Sequence, residues 1–327
     1  MSCCQYVPDH VLEQLGDRRS IELSKALRSY RSAPEYAGRF LLGIQPAVVA
    51  TTGKQRTTYT MDHRTKPRPG VLLRSEGQAE VGRAAADEAH DGAGTVYDFY
   101  KEVLGRRSLD DHDMLLQSIV EYGDRYNNAY WNGKEMTYGD GDGELFVRFT
   151  KSLEVIAHEM THGVVTATCD LNYWGESGAL NESFADVFGI ACQHWAAHKL
   201  GQFASWLIGD EIVGPKFPGR AIRNMDFEPA YKGDDQPKHI RNKYRGIQDN
   251  GGVHINSGIP NYAFFLTCQQ AGEPPYGTPL ILWYEVMQQL PQFCNFATFA
   301  RALRDTAQIK HPILYRPVHQ ALKQVGL

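Results

Sequence analysis

The stretch Val155-Ile156-Ala157-His158-Glu159-Met160-Thr161-His162 decides how the chain is read. It is H-E-x-x-H inside a strongly helical window, and its periodicity predicts a helix over 152–167. Positions i and i+4 of a helix share a face, so His158 and His162 can grip one metal ion together. Glu159 lies about 100° further round. From there it is badly placed to ligate but well placed to reach a water beside the ion. A second predicted helix, 176–199, carries Asn181-Glu182-Ser183-Phe184-Ala185-Asp186. A hydrolytic zinc site takes three protein ligands and keeps one position open. His158, His162 and Glu182 supply that set. Asp186, one turn beyond Glu182, is placed to accept the outer ring N–H of His158.

A third element follows in Asp249-Asn250-Gly251-Gly252-Val253-His254-Ile255-Asn256-Ser257-Gly258. Its glycines allow a close approach of backbone to a site. The flanking Asp249 is suited to hold and aim His254.

Working outward, residues 51–150 read as rich in strands and loops. Strands are predicted at 57–60 and 70–74, and a helix over 84–103. Asn127-Asn128-Ala129-Tyr130-Trp131-Asn132-Gly133 is strand-like and ends in an Asn-Gly turn. Gly139-Asp140-Gly141-Asp142-Gly143 lacks the carboxylates of a calcium loop and reads as a turn. Residues 150–327 are mainly helical, with further helices predicted at 258–271, 278–289, 296–307 and 314–324. A loop is expected over 214–257. The fold class is therefore α+β.

Residues 1–50 stand apart. Val11, Leu12 and Leu15 form one apolar stripe, and Ile21, Leu23, Leu27 and Tyr30 form another. Two such short amphipathic helices are marginal alone and need a surface to dock on. The junction Val48-Val49-Ala50-Thr51-Thr52-Gly53 is small and strand-prone.

The 327 residues, 42% hydrophobic and 22% charged, suit a globular protein of about two domains. A net charge of −4 carries no basic footprint, so no nucleic-acid partner is expected. No run approaches about 18 apolar residues, so no membrane-spanning helix is expected. The N-terminus lacks a basic start and an apolar core, so no Sec signal peptide is predicted. Cys3, Cys4, Cys169, Cys192, Cys268 and Cys294 show no regular spacing. They read as thiols rather than a disulfide framework. Thiolates bind zinc well, so Cys3-Cys4 could place one near a metal, with adjacency alone to support that reading.

Assembled in order, these motifs closely resemble the thermolysin family of zinc metalloendopeptidases. The resemblance runs from about residue 51 to 327. It includes Leu73-Arg74-Ser75-Glu76-Gly77, Ala93-Gly94-Thr95-Val96-Tyr97-Asp98-Phe99-Tyr100 and Met136-Thr137-Tyr138-Gly139, besides the stretches already quoted. It implies a β-rich lobe, 51–168, ending in the zinc-binding helix, and a helical lobe, 169–327, with the zinc cleft between them. It implies that Tyr173 and His254 stabilise an oxyanion, that Asp249 orients His254, and that Arg223 binds a substrate carbonyl. Asn128, Ala129 and Trp131 would receive substrate as an added strand. Phe146, Phe149, Val155, Ile208 and Ile222 fall where the family lines its first primed pocket. All five are apolar, so a large hydrophobic residue is expected after the scissile bond. Glu154 and Asp210 match ligands of the family's paired calcium site. Gln193, Ser205 and Leu207 stand where acids would complete it, so one calcium ion or none is expected.

The front segment resembles the short propeptide of the protealysin-like branch. Val7-Pro8-Asp9-His10-Val11-Leu12 is similar to that branch's Pro-Pro-x-hydrophobic-Leu start, with Asp9 in place of the second proline. Residues 1–50 are thus expected to be an intramolecular inhibitor, removed by self-cleavage near 48–52. The expected activity is zinc-assisted hydrolysis of polypeptides, with Glu159 as base. Two other readings stay open: a non-catalytic zinc protein that binds a partner, and a His₂Glu aminopeptidase. Secretion by a non-Sec route is expected, with a cytoplasmic zymogen as the alternative.

Overall fold

The computed structural model describes residues 4–31, 52–226 and 228–327, without the side chains of 28–31. Its first half is built on a six-stranded sheet in the order β1-β5-β6-β4-β2-β3. The strands are β1 (Cys4–Gln5), β2 (Arg56–Thr60), β3 (Val71–Ser75), β4 (Leu116–Val120), β5 (Ala129–Trp131) and β6 (Met136–Tyr138). β4 is central and parallel to both β2 and β6, while the outer pairs are antiparallel. β4 and β6 fall in segments where no strand was predicted. Leu116-Gln117-Ser118-Ile119-Val120 lacks a clean two-residue alternation, because four of its five residues are buried in the middle of a sheet.

The helices α1 (Asp9–Gln14), α2 (Arg18–Arg31) and α3 (Ala84–Leu104) accompany this sheet. α3 buries Ala85, Ala89, Ala93, Val96 and Phe99. It stops at Gly105, whose φ of +69° is open to glycine at little cost. α1 and α2 confirm the short helices expected at the front. Val11, Leu12 and Ile21 are buried, and Leu15, Leu23 and Leu27 are partly so. The side chain of Tyr30, Cys3 and the junction at 48–51 lie outside the described residues.

The second half is helical: α4 (Leu153–Thr168), α5 (Gly175–Lys199), α6 (Gln248–Asn256), α7 (Gly258–Ala271), α8 (Thr278–Met287), α9 (Phe296–Lys310) and α10 (Pro312–Val325). A two-stranded sheet, β7 (Leu207–Ile208) with β8 (Arg223–Asn224), sits between α5 and α6. α5 is buried almost all round from Ser177 to Cys192, as a helix through the middle of a core must be. α4 lies along it, between the sheet and the helical half. One continuous apolar cluster joins the two halves, with Phe184, Trp283 and Phe299 meeting edge to face. The loop expected over 214–257 is corrected at its end. α6 escapes helical periodicity because Asp249, Asn250, Gly251 and Gly252 all have positive φ, between 50° and 82°. That left-handed run turns the chain sharply just before His254.

Candidate metal centre

α4 and α5 bring the first three candidates together. His158 and His162 are fully buried, with ring centroids 4.8 Å apart. Their Nε2 atoms face each other at 3.1 Å. The Glu182 carboxylate lies 3.5 Å from each of them. The outer nitrogens are held by acceptors: His158 Nδ1 is 3.0 Å from Asp186 Oδ1, and His162 Nδ1 is 2.8 Å from Asn181 Oδ1. Those acceptors place the ring protons on the outside and leave the inner lone pairs bare. Burial keeps His162 neutral, with its pKa lowered to about 4. Two inward lone pairs and a carboxylate at this spacing fit a cation with nitrogen and oxygen ligands.

Glu159 is buried beside them, and no side chain among the described residues hydrogen-bonds to its carboxylate. Burial, with Glu182 adding to it, raises its pKa well above the usual carboxylate range, and the Trp131 backbone N–H pulls the other way. Glu182 Oε2 has no hydrogen-bond partner among the described residues. A cation and water would satisfy such buried acceptors.

The remaining candidates converge from other elements. Tyr173 donates its O–H to Glu182 and lies 3.3 Å from His254 Nε2. The turn before His254 lets Asp249 accept from both its Nδ1 (2.6 Å) and its backbone N–H (2.8 Å). Burial pulls the His254 pKa down, but Glu182 and Asp249 outweigh it and hold it up at about 9. Arg223, on β8, donates two hydrogen bonds to Asp186, at 2.8 and 3.1 Å. Asn261 adds a third at 2.8 Å. Burial opposes ionisation of Asp186, yet Arg223 and His158 hold its carboxyl well below the usual range.

The expected substrate edge is occupied by the chain's own N-terminus. β1 runs antiparallel to β5, with Cys4 opposite Trp131 and Gln5 opposite Tyr130. Tyr6 N–H donates to Ala129 O (3.0 Å), and Asn128 bonds both the N–H and the C=O of Val7 (2.8 and 2.9 Å). The Gln5 carbonyl lies 2.8 Å from His254 Nε2, and the Tyr6 carbonyl accepts from Arg223 at 3.1 Å. The Tyr6 side chain enters the apolar cluster that holds Phe146, Phe149, Val155, Ile208 and Ile222. Its ring meets Phe149 and His158 edge-on, at 6.2 and 5.0 Å.

Two calcium candidates are placed differently from one another. Glu154 accepts from the Tyr6 hydroxyl (2.5 Å) and from Gly209 N–H (3.2 Å), and burial raises its pKa to about 8. Asp210 accepts from Ser205 (2.8 Å). Among the described residues, two groups of three ligand atoms lie within 4.8 Å of one another: Cys4 with His162 and Glu182, and Glu154 with His158 and Asp186. Asp210 belongs to neither. Sequence reasoning passed over Gln5, Tyr6 and Asn261. Nothing local marks them, since their partners lie 75 or more positions away. It weighed Cys3 and Cys4 as a thiolate near a metal on their adjacency alone, and Cys4 is the one that lies beside His162 and Glu182.

Such an arrangement suits a metal-dependent hydrolase, and the comparisons with known proteins point to that class. The description "Thermolysin metallopeptidase, catalytic domain" matches residues 46–166, and "Thermolysin metallopeptidase, alpha-helical domain" matches 169–327. The chain belongs to the thermolysin family of metallopeptidases, and it is a zinc metalloendopeptidase. It is 42% identical to the extracellular metalloprotease of Pectobacterium carotovorum subsp. carotovorum, over 79% of this chain and 77% of that one. It is 39% identical to protease PrtS of Photorhabdus sp. (strain Az29), over 90% and 79%. Among solved structures it resembles the precursor of protealysin, a metalloproteinase from Serratia proteamaculans. The TM-score is 0.84 and the identity 36%, over 99% of both chains. No helix among the described residues is long and apolar enough to cross a membrane.

Proposed function

We propose that the chain is a latent precursor whose N-terminal segment lies in the cleft as a polypeptide substrate would. The observation that carries this is the docking of Gln5-Tyr6-Val7. One backbone carbonyl is on His254, the next is on Arg223, the strand is paired to β5, and a large side chain fills the apolar pocket.

In this reading His158, His162 and Glu182 hold the zinc. Bound there, zinc supplies a Lewis acid that acidifies a water and polarises a carbonyl. Glu159 takes the proton of the attacking water and hands it to the leaving amine. Burial raises its pKa above the usual carboxylate range, which makes it a stronger base than an exposed carboxylate. Tyr173 and protonated His254 aim donors at the developing oxyanion. Losing one such donor costs about 10²–10³ in rate. Asp249 holds His254 in its tautomer and favours its charged form. Arg223 fixes the carbonyl on the primed side, and the pocket occupied by Tyr6 selects a large apolar residue after the scissile bond.

Residues 1–50 act as the intramolecular inhibitor and are removed by self-cleavage near 48–52. Secretion is inferred with support from the extracellular name of the Pectobacterium relative. The test is a peptide blocked at both ends with one Phe or Leu inside it, digested by the processed enzyme. Mass spectrometry is expected to find a new N-terminus at that residue. Trimming from an end, or cuts indifferent to the apolar residue, would overturn the specificity.

A further inference from the structure

Cys4 stands one residue before the carbonyl that meets His254, and it is buried. Its Sγ, a His162 ring nitrogen and a Glu182 oxygen all lie within 4.8 Å of one another. This placement is not left to a loose side chain. The register Cys4↔Trp131 fixes the backbone on one side, and the hydrogen bonds of Gln5 and Tyr6 fix it on the other. Alternate residues of a strand share a face. Cys4 therefore looks to the cleft floor beside Tyr6, whose ring rests on His158.

We propose that the Cys4 thiolate is the fourth ligand of the zinc in the precursor. The idea rests on the zinc site of the proposed function. Zinc prefers four tetrahedral ligands, and thiolate is among its strongest. Three protein ligands make a hydrolytic site, and a fourth makes a closed one. Binding is balanced by proton release: the thiol gives up its proton and the sulfur takes the coordination position. The place where Glu159 would activate a water is then filled. The precursor is latent for two separate reasons, a strand in the cleft and a sulfur at the metal. Cutting the chain near 48–52 removes neither until the segment departs.

The test is X-ray absorption at the zinc edge on the full-length, zinc-loaded chain, in Glu159→Ala to stop self-processing. One sulfur neighbour at about 2.3 Å is expected. It is expected to vanish in Cys4→Ser and in Cys4→Ala, and to persist in Cys3→Ser. Zinc with only nitrogen and oxygen neighbours would overturn the ligand and leave the zinc site standing. A sulfur neighbour that survives both Cys4 variants would also overturn it. A chain that binds no zinc would overturn both.

Discussion

Asp186 ties three residues of the centre together. It accepts from Arg223 twice and from Asn261, and it faces His158 Nδ1. Asp186→Asn keeps the shape but removes the charge that orders both partners. Zinc affinity is expected to fall about 10–100-fold, read by competition with a chelator of known strength. Unchanged affinity would free His158 from dependence on Asp186. His90 offers a residue-scale test of stability. Its Nδ1 lies 3.1 Å from Thr58 Oγ1, and burial, then Arg56 and Arg74, lower its pKa to about 4 from 6.5. Between those values the unfolded chain binds a proton that the folded chain refuses. The contribution is whole above about 6.5 and is lost as pH falls toward 4. Urea midpoints should decline over that range, with a shallower decline in His90→Asn. An identical slope in the variant would clear His90. The motif residues were legible because a helix repeats: His158, Glu159 and His162 are set by spacing alone. Tyr6 was not, and Cys4 was marked only by its adjacency to Cys3, since their places come from pairing with residues about 125 positions on, which no local pattern records.

Among the elements, β1 has only two residues, as do β7 and β8. Two residues cannot hold a sheet position by their own hydrogen bonds. The buried ring of Tyr6 is the anchor. Tyr6→Ala would empty the apolar pocket and cost roughly 3–5 kcal/mol of docking, by analogy with buried Phe→Ala. The N-terminal segment should then be cut faster by trypsin at Arg18 and Arg19, while the rest of the chain stays resistant. Equal rates of cutting would show that Tyr6 does not anchor the strand. Helices were the legible elements here. α7 was expected at its observed bounds and α9 to within a turn, because an apolar stripe over several turns is a strong signal. β4, β6 and α6 were missed for three physical reasons: burial on both faces, brevity, and a left-handed run inside a helix.

At the scale of the molecule, the front segment and the peptidase share one sheet and one apolar core. Purified wild type is expected to lose its first fifty or so residues with time. Glu159→Ala, and wild type held in a zinc chelator, are expected to stay full length by mass spectrometry. Shortening of all three at one rate would exclude self-processing. A continuous β1–β5 pairing also has a kinetic consequence. While the chain is whole, the cleft meets its occupant at an effective concentration on the order of millimolar, whatever the protein concentration. Once the connection is cut, the same contacts belong to two molecules, and dilution alone decides how long they last. Peptidase activity after cutting should therefore appear sooner in dilute solution than in concentrated solution. A precursor stored densely would stay silent after its covalent activation, and would wake as it spreads.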